Sequence, residues 1–251
     1  MTPFSVVIIT LNAAAYIDRC VTAARHVSDD VVVVDSGSTD NTVALATRAG
    51  ARVLHTTWKG YGPTKNEGNA AAVYDWILSL DADEVINAEL EVWLKTFEPA
   101  GPAGVYSLRR LNHIGSQPVR FGSWGKDYTI RIFNRNHVHW NNALVHEALV
   151  MPANIEKHKA SGLLLHYTVR DMDDLLQKTR KYAELSAQKY RQKGRKANVF
   201  NIYIGPVWKF FVNFILKMGF LDGLYGMRLA LAQSYEAYLK YSLLGSYNRT
   251  K

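Results

Sequence analysis

The first hundred residues alternate short apolar runs with segments of helical periodicity, and this alternation restricts the fold more than any other feature. Residues 5–10, 31–34, 52–55 and 76–80 form runs rich in apolar side chains, several of them β-branched, which is typical of buried strands. The segments between these runs carry apolar residues at helical spacing, and Asn87 is placed to cap a further helix. Strands that alternate with helices predict a parallel sheet covered by helices on both faces.

The pattern changes after residue 104. Residues 105–166 contain many aromatic side chains, and their pattern predicts short strands and turns. This suits an α+β half that covers the sheet and receives a second substrate. Residues 171–192 then have the spacing of a helix.

Polar residues follow the predicted strands at their carboxyl ends: Thr10, Asn12, Asp35, Asp81 and Asp83. Ligands of open α/β sheets bind at this edge. The coincidence is the first sign of a functional site.

Asp81 and Asp83 lie two residues apart after a buried strand. Side chains two apart in extended chain point the same way, so the two carboxylates would repel each other without a cation between them. Oxygen ligands suit Mg²⁺ or Mn²⁺, which would in turn hold the oxygens of a diphosphate. The alternative is an acidic surface turn or a helix cap.

Asp35 ends the second strand, directly before a turn of Ser36, Gly37 and Ser38. A carboxylate there can accept the ring N–H of uracil, and the small residues let backbone approach a base or ribose. A plain strand-to-helix turn is the alternative, since the segment lacks the spaced glycines of the common phosphate-binding loops.

Charge is concentrated at the end of the chain. Residues 1–174 carry 16 Lys/Arg and 19 Asp/Glu, whereas residues 175–251 carry 14 and 3. Residues 199–221 are largely apolar, and on one helix Lys209, Asn213 and Lys217 would face away from the apolar residues Trp208, Phe211, Ile215 and Met218. This predicts a basic amphipathic helix on an anionic membrane surface. The alternatives are a helix that docks on the domain or a dimer interface.

Several classes of protein are disfavoured. The basic segment is too apolar for a nucleic-acid binder, and no nucleic-acid motif is found. The single cysteine, Cys20, and the absence of a signal-peptide pattern lead us to expect a reducing, cytoplasmic compartment.

Three motifs in the N-terminal half resemble family 2 glycosyltransferases of the GT-A fold: Val-Ile-Ile-Thr-Leu-Asn at 7–12, Val-Val-Asp-Ser-Gly-Ser-Thr-Asp at 33–40, and Leu-Ser-Leu-Asp-Ala-Asp-Glu at 78–84. Gly-Tyr-Gly-Pro-Thr-Lys-Asn at 60–66 and Val-His-Glu at 145–147 resemble the branch of bacterial lipopolysaccharide core glucosyltransferases. The resemblance implies an α/β fold with a mixed, mostly parallel central sheet flanked by helices and a C-terminal helical membrane-surface extension.

The resemblance also implies roles for residues that bind the donor. Thr10 and Asn12 fall on the first nucleotide-contacting loop, and Asp35 falls on the uracil-binding aspartate. Lys65 falls on a residue that meets the diphosphate, while Asp81 and Asp83 fall on the DxD motif for metal and ribose.

Further residues are candidates for acceptor chemistry. Glu147 falls where the branch keeps its catalytic base, with His146 as the rival. His166, at the end of an apolar run, completes the metal shell or is a core histidine. Arg131 meets a substrate phosphate or an internal carboxylate. Trp124 stands in a segment that departs from the expected Pro-Asp, which leaves the acceptor open.

The resemblance implies an inverting, metal-dependent enzyme that moves a sugar, with glucose from UDP-glucose expected, to lipopolysaccharide inner core or another surface glycan. Residues 1–170 would form the GT-A domain, with a nucleotide-sugar half at 1–100 and an acceptor half at 101–170, and 171–251 the basic extension. We expect a peripheral protein on the inner face of the cell membrane, with a homodimer possible. A polyprenyl-phosphate sugar transferase and a noncatalytic membrane-bound nucleotide-sugar binder remain as alternatives.

Overall fold

The predicted alternation in the first hundred residues is confirmed in the computed structural model, which describes residues 1–142 and 147–249. Each of the four strands lies within one residue of its predicted bounds. They are β1 (Ser5–Thr10), β2 (Val31–Asp35), β3 (Arg52–His55) and β4 (Trp76–Asp81). The elements between and after them are α1 (Ile17–Arg25), α2 (Thr42–Arg48), α3 (Tyr61–Ala71), β5 (Glu84–Ile86) and α4 (Ala88–Lys95). Asn87 caps α4 as predicted, because its side chain accepts the N–H of Leu90 at 2.9 Å.

The second part of the chain extends the sheet. Its strands are β6 (Val105–Ile114), β7 (Gln117–Val119), β8 (Asp127–Asn134), β9 (His139–Trp140), β10 (Leu149–Val150) and β11 (Lys157–Val169). The strand order is β3-β2-β1-β4-β8-β6-β11-β5, with β1 parallel to β2 and β4, β2 parallel to β3, and β8 antiparallel to β4. The predicted fold class, a mixed central sheet flanked by helices and followed by C-terminal helices, is confirmed.

The prediction of short strands over 105–166 is wrong for β6 and β11, which contain 10 and 13 residues. Gly162 interrupts the strand pattern of β11 in the sequence, but its φ of +90° and its close approach to Leu90 explain its presence there. An idealised Cβ on Gly162 would lie 2.3 Å from the Leu90 nitrogen, so only glycine fits where β11 passes α4.

The sheet is buried on both faces, as the continuous apolar runs require. Along β1, Val6 and Ile8 pack into one core cluster while Val7 and Ile9 pack into another. This alternation follows from the two-residue period of a strand. Each residue from Val6 to Ile8 is completely inaccessible to solvent, so β1 is an interior strand of the sheet.

Helix α3 lies unusually close to its neighbours. An idealised Cβ on Gly68 would lie 2.4 Å from Val7 Cγ1 and 2.7 Å from Val34 Cγ2, while one on Gly62 would lie 1.9 Å from the Asn141 carbonyl oxygen. The two glycines therefore allow the helix to approach the sheet on one side and the chain before residue 143 on another.

The chain divides into two compact units. The first unit comprises Met1–Arg110 and Tyr128–His166, and the second comprises Leu111–Asp127 and the chain from Tyr167 onward. The predicted functional boundary at residue 170 stays a prediction. The second unit contains α5 (Met172–Gln192), α6 (Gly205–Phe211) and α7 (Gly223–Arg249), and its core is formed by Ile114, Val119, Val169, Leu175, Leu229 and Ala232.

The prediction of one continuous helix over 199–221 is wrong. Helix α6 is flanked by π-helical turns at Phe200–Ile204 and Val212–Leu216, and the chain then bends by 73° around Met218, whose φ is +57°. A short 3-10 turn, Gly219–Asp222, leads into α7. Gly219 fits so tightly that a Cβ there would lie 2.6 Å from the Asn213 carbonyl oxygen, which explains why a glycine follows the bend.

In this broken segment some polar side chains are buried while large apolar side chains are exposed, the reverse of an ordinary protein surface. Asn213 is 5% exposed and Lys209 pairs with Glu236, whereas Trp208 is 59% exposed. We call the exposed set the apolar face; its members are Val207, Trp208, Phe211, Ile215, Leu216 and Met218. Among the described residues no single helix has the length and hydropathy of a membrane span, but the segment Phe200–Leu216 and the chain Gly219–Tyr247, bent by 73°, meet those criteria together.

Candidate active site

The carboxyl ends of three neighbouring strands bring predicted site residues together in the first unit. Thr10 pairs in register with Asp35 across β1 and β2, and Ile9 pairs with Asp81 across β1 and β4. Thr10, Asp35 and Asp81 therefore lie along one edge of the sheet, where ligands of such folds bind.

The loops after β1 and β2 support each other through side chains. The Asp35 carboxylate is 2% exposed and accepts the N–H groups of Gly37 at 3.1 Å and Ser38 at 3.0 Å. Asn12, with a φ of +51°, accepts the Thr39 N–H at 2.9 Å. Both residues thus hold the shape of this edge in addition to any contact with a ligand.

Unsatisfied polar atoms mark the same edge. The hydroxyl oxygens of Thr10 and Ser36 are buried and have no hydrogen-bond partner among the described residues. A buried hydroxyl without a partner is costly, so a polar ligand that reaches this edge would gain hydrogen bonds that the protein alone does not make.

A charged cluster, composed of Lys65, Asp81, Glu84, Arg131 and Glu147, lies beside this edge. Lys65 comes from α3, and its ammonium nitrogen is 2.9 Å from Glu147 Oε1, 3.3 Å from Asp81 Oδ1 and 4.5 Å from the centre of the Trp140 ring. Lys65 is 1% exposed, so its charge depends on these carboxylates for compensation. The predicted phosphate-binding lysine is therefore joined to the predicted base and to the first aspartate of the DxD motif.

Arg131 holds the other side of the cluster from β8. Its guanidinium Nη2 is 2.5 Å from both Asp81 Oδ2 and Glu84 Oε1. Glu84 is completely buried, and its second oxygen accepts the Asp81 N–H at 3.1 Å. Of the two partners considered for Arg131, a substrate phosphate or an internal carboxylate, the structure provides the second.

These pairings set the charges of the cluster. Burial acts to raise the pKa of Asp81, but the positive charges of Arg131 and Lys65 outweigh it and hold that pKa well below its usual range. Burial raises the pKa of Glu84, and the attraction of Arg131 opposes this rise. Burial acts to lower the pKa of Arg131, yet the charges of Asp81 and Glu84 raise it. Asp81 therefore remains an anion, with both of its oxygens engaged by cations of the chain.

Asp83 faces His166, whereas Asp81 is held by Lys65 and Arg131. The pairing of β11 with β5 places His166 opposite Glu84, and its Nε2 is 3.6 Å from Asp83 Oδ1. Metal–ligand bonds for oxygen and nitrogen are about 2.0–2.2 Å, so these two atoms could reach one ion. Among the described residues no group of three or more His, Cys, Asp or Glu side chains forms a metal cage. The chemistry of the pair suits Mg²⁺ or Mn²⁺ that takes its remaining ligands from water or a diphosphate.

Glu147 is positioned by a two-stranded sheet. Strands β9 and β10 pair, and just inside them the Asn141 N–H donates to the Ala148 carbonyl at 2.9 Å. This pairing places Glu147 next to an ordered ladder and within reach of Lys65. His146, the rival base, falls in 143–146 and lies outside the described residues.

Trp124 belongs to the second unit, where its ring is half-buried against the core of that unit. The charged cluster belongs to the first unit. The acceptor role of Trp124 stays a prediction.

Glu84 is the member of the charged cluster that sequence reasoning missed. It stands at the end of the 78–84 motif, but no role followed from the sequence. The signal was Arg131, since an arginine between apolar strand residues requires a buried carboxylate, and a third acidic residue beside Asp81 and Asp83 was available to meet that need.

The family model described as glycosyl transferase family 2 matches residues 5–148, and the chain belongs to this family. It is 28% identical to a glycosyltransferase of Rickettsia felis, across 97% of this chain and 90% of that protein. It is also 28% identical to the lipopolysaccharide core biosynthesis glycosyltransferase LpsC of Rhizobium meliloti, across 89% of this chain and 83% of that protein. The resemblance predicted from the motifs is confirmed.

Solved structures resemble the chain more distantly. A glucosyl-3-phosphoglycerate synthase from Mycobacterium tuberculosis, in complex with Mg²⁺ and UDP, is 25% identical over 45% of this chain and 44% of its own, with a TM-score of 0.38. TarS of S. aureus is 17% identical over 98% of this chain and 55% of its own, with a TM-score of 0.47. The matched segments cover about half the length of each of these proteins.

Proposed function

We propose that the protein transfers a sugar, glucose from UDP-glucose being the expected donor, to a hydroxyl of a saccharide acceptor such as lipopolysaccharide inner core, with inversion at the anomeric carbon. The observation that carries this proposal is the contact of Lys65 with both Asp81 and Glu147. This contact joins the residues expected to bind the sugar donor to the residue expected to act as the base. The relative LpsC, named for lipopolysaccharide core biosynthesis, supports the acceptor class.

The donor would lie along the carboxyl edge of the sheet. Asp35 would accept the uracil ring N–H, and Thr10 and Asn12 would contact the nucleoside. Asp83 and His166 would hold Mg²⁺ or Mn²⁺, and such an ion neutralises charge on a departing diphosphate. Lys65 would exchange part of its contact with Asp81 for a diphosphate oxygen.

Glu147 would act on the acceptor. A sugar hydroxyl is a poor nucleophile until its proton leaves, and a carboxylate at hydrogen-bond distance can take that proton. The hydroxyl oxygen bonds to the anomeric carbon while the bond from that carbon to the diphosphate oxygen breaks. The proton goes to Glu147, and UDP leaves with the bonding electrons.

The second unit would attach the enzyme to the inner, cytoplasmic face of the cell membrane, where a lipid-linked or lipopolysaccharide acceptor is presented. Its apolar face would enter the boundary between headgroups and acyl chains, and the excess of Lys/Arg in residues 175–251 would favour anionic lipids. A homodimer interface at this surface is the competing proposal.

The substitution Glu147→Gln tests the function. It keeps the shape and removes the basicity, so transfer from UDP-glucose to a core saccharide should fall roughly 10²-fold or more. Reaction products are read by mass spectrometry and UDP affinity by calorimetry. An equal loss of UDP affinity would make Glu147 a donor ligand or a structural residue instead.

The same assay separates the other candidates. A polyprenyl-phosphate sugar transferase would place the sugar on a phosphate, and the product mass would reveal the lipid carrier. A noncatalytic nucleotide-sugar binder would bind UDP-glucose yet give no product with any acceptor.

A further inference from the structure

A cavity of about 430 Å³ lies within the second unit, and none of the residues that line it belongs to the charged cluster. It is open on one side, and its polar lining comes from turns and helices that the sequence places far apart. The polar residues that line it are Ser123, Lys209, Asn213, Lys217, Gln233 and Glu236. Two ammonium groups against one carboxylate leave this lining with a positive charge.

Lys209 is incompletely compensated there. Its nearest carboxylate oxygen, Glu236 Oε2, is 3.7 Å away, which is longer than a hydrogen bond. Burial lowers the pKa of Lys209; Glu236 opposes this and the nearby Lys240 adds to it. An anion in the cavity would therefore stabilise the charged ammonium group.

Hydrogen-bonding capacity is also left over in the lining. The Gln233 amide nitrogen donates to the Ser123 hydroxyl at 2.5 Å, so the hydroxyl proton can be donated elsewhere. The Gln233 amide oxygen is buried and has no partner among the described residues. The cavity thus offers donors to an anion, together with an acceptor for a hydroxyl beside it.

The position of the cavity indicates the source of the anion. Trp208 lines the cavity and is also part of the apolar face, where Val207 and Phe211 continue the exposed apolar surface. A soluble phosphate would gain nothing from this apolar border. A phosphate attached to acyl chains would gain the burial of those chains.

We propose that this cavity binds the phosphate of an anionic, glycerophosphate-type lipid headgroup. Lys209 and Lys217 contact the phosphate oxygens, Ser123 donates its hydroxyl proton, and Gln233 accepts from a headgroup hydroxyl. The proposal deepens the membrane attachment proposed above and rests on it. It adds a specific site to what would otherwise be a diffuse attraction between basic residues and lipid.

The test compares two charge-matched variants of the full chain. Lys209→Gln with Lys217→Gln removes two charges from the cavity, and Lys193→Gln with Lys196→Gln removes two from an exposed segment of the same unit. Binding is measured on phosphatidylglycerol and phosphatidylcholine vesicles. On phosphatidylglycerol the cavity variant should lose roughly tenfold more affinity than the control, a difference of about 1.4 kcal/mol. Equal losses would overturn the site, because diffuse attraction counts charges without regard to place.

A second variant guards against misfolding. Gln233→Glu keeps the size of the side chain and adds a negative charge to the lining, so it should weaken binding to phosphatidylglycerol and leave the midpoint of thermal unfolding nearly unchanged. Normal binding by this variant would contradict the proposal. Soluble glycerol phosphate serves as competitor, and displacement of the protein from vesicles at concentrations that leave bulk screening unaltered would show a soluble-anion site instead.

Turnover of UDP-glucose is recorded in parallel. It should be the same in all three variants, because none of the substituted residues belongs to the charged cluster. If the unsubstituted protein has no turnover, the proposed transfer fails while the vesicle comparison still decides the lipid site.

Discussion

The charged cluster of the first unit and the apolar face of the second unit depart from ordinary protein surfaces in opposite ways. The first buries Lys65, Glu84 and Arg131 and leaves Asp81 and Glu147 only partly exposed, while the second exposes large side chains such as Trp208 and buries Asn213. Buried charges are tolerated where each has a partner, and exposed apolar area is tolerated where something other than water covers it. Among the described residues, the charges of the cluster therefore pair with one another, whereas the large side chains of the apolar face are left exposed.

The largest expected effect concerns the acidic turn of the first unit. Asp83→Ala should reduce sugar transfer about 10³-fold or more, since a catalytic ion supplies several kcal/mol of stabilisation. Mn²⁺ and Mg²⁺ are added back after chelation and turnover is followed by UDP release. Full activity in excess chelator, or an active Asp83→Ala protein, would remove the metal from the proposal.

Arg131→Met asks whether the buried charges need one another. It leaves Glu84 without its closest cation, although Lys65 still contacts Asp81. We expect a loss of about 3 kcal/mol in the free energy of unfolding, the lower part of the range for a broken buried pair. Arg48→Met, which breaks the exposed pair with Asp18, is the matched control and should change stability by less than about 1 kcal/mol. Similar losses of unfolding free energy in urea titrations of the two variants would mean that the buried charges of the cluster do not depend on one another.

The apolar face is tested by Phe211→Glu with Ile215→Glu. These changes should weaken binding to anionic vesicles about 10²-fold, because two side chains no longer enter the lipid boundary and two negative charges are added. Tyr182→Glu with Leu185→Glu places the same charges on exposed apolar positions of α5 and should have the smaller effect. A double variant that still binds vesicles but changes its oligomeric state would identify this surface as a dimer interface.

The smallest expected effect concerns which nucleotide base the donor site prefers. Asp35 should favour UDP over CDP by about tenfold, the scale of one hydrogen bond to a charged group, since cytosine lacks the ring N–H. Competition calorimetry measures the preference, and Asp35→Asn should reduce it. Equal affinities for UDP and CDP would limit Asp35 to its observed role of holding Gly37 and Ser38.

The sequence predicted the strands of the first unit closely because β1, β2 and β4 are buried on both faces and leave an unbroken apolar signal. The same method failed at 199–221. The bend around Met218 is accompanied by close packing of Gly219 against Asn213 and Gly226, which helical periodicity does not encode. In β11 the glycine at 162, which sequence patterns associate with a strand end, concealed a long strand in the same way.

Within the candidate site, the sequence indicated which residue types were needed but not how they pair. Lys65 and Glu147 are separated by 82 positions, and only the fold brings α3 beside the chain after β9. Arg131 showed the same limit, because its isolation among apolar residues predicted a partner without saying whether Asp81, Glu84 or a ligand would be that partner.

The two glycines of α3 have a consequence for how the protein tolerates mutation. Glycine lowers the stability of a helix by about 1 kcal/mol per residue relative to alanine, so α3 is a weaker helix than its length would permit. In return the helix lies deep enough for Lys65, three residues from each glycine, to reach two carboxylates. An activity screen of random variants should therefore find Gly68 as intolerant as Lys65, and would rank it among the catalytic residues although its nearest neighbours are the side chains of Val7 and Val34.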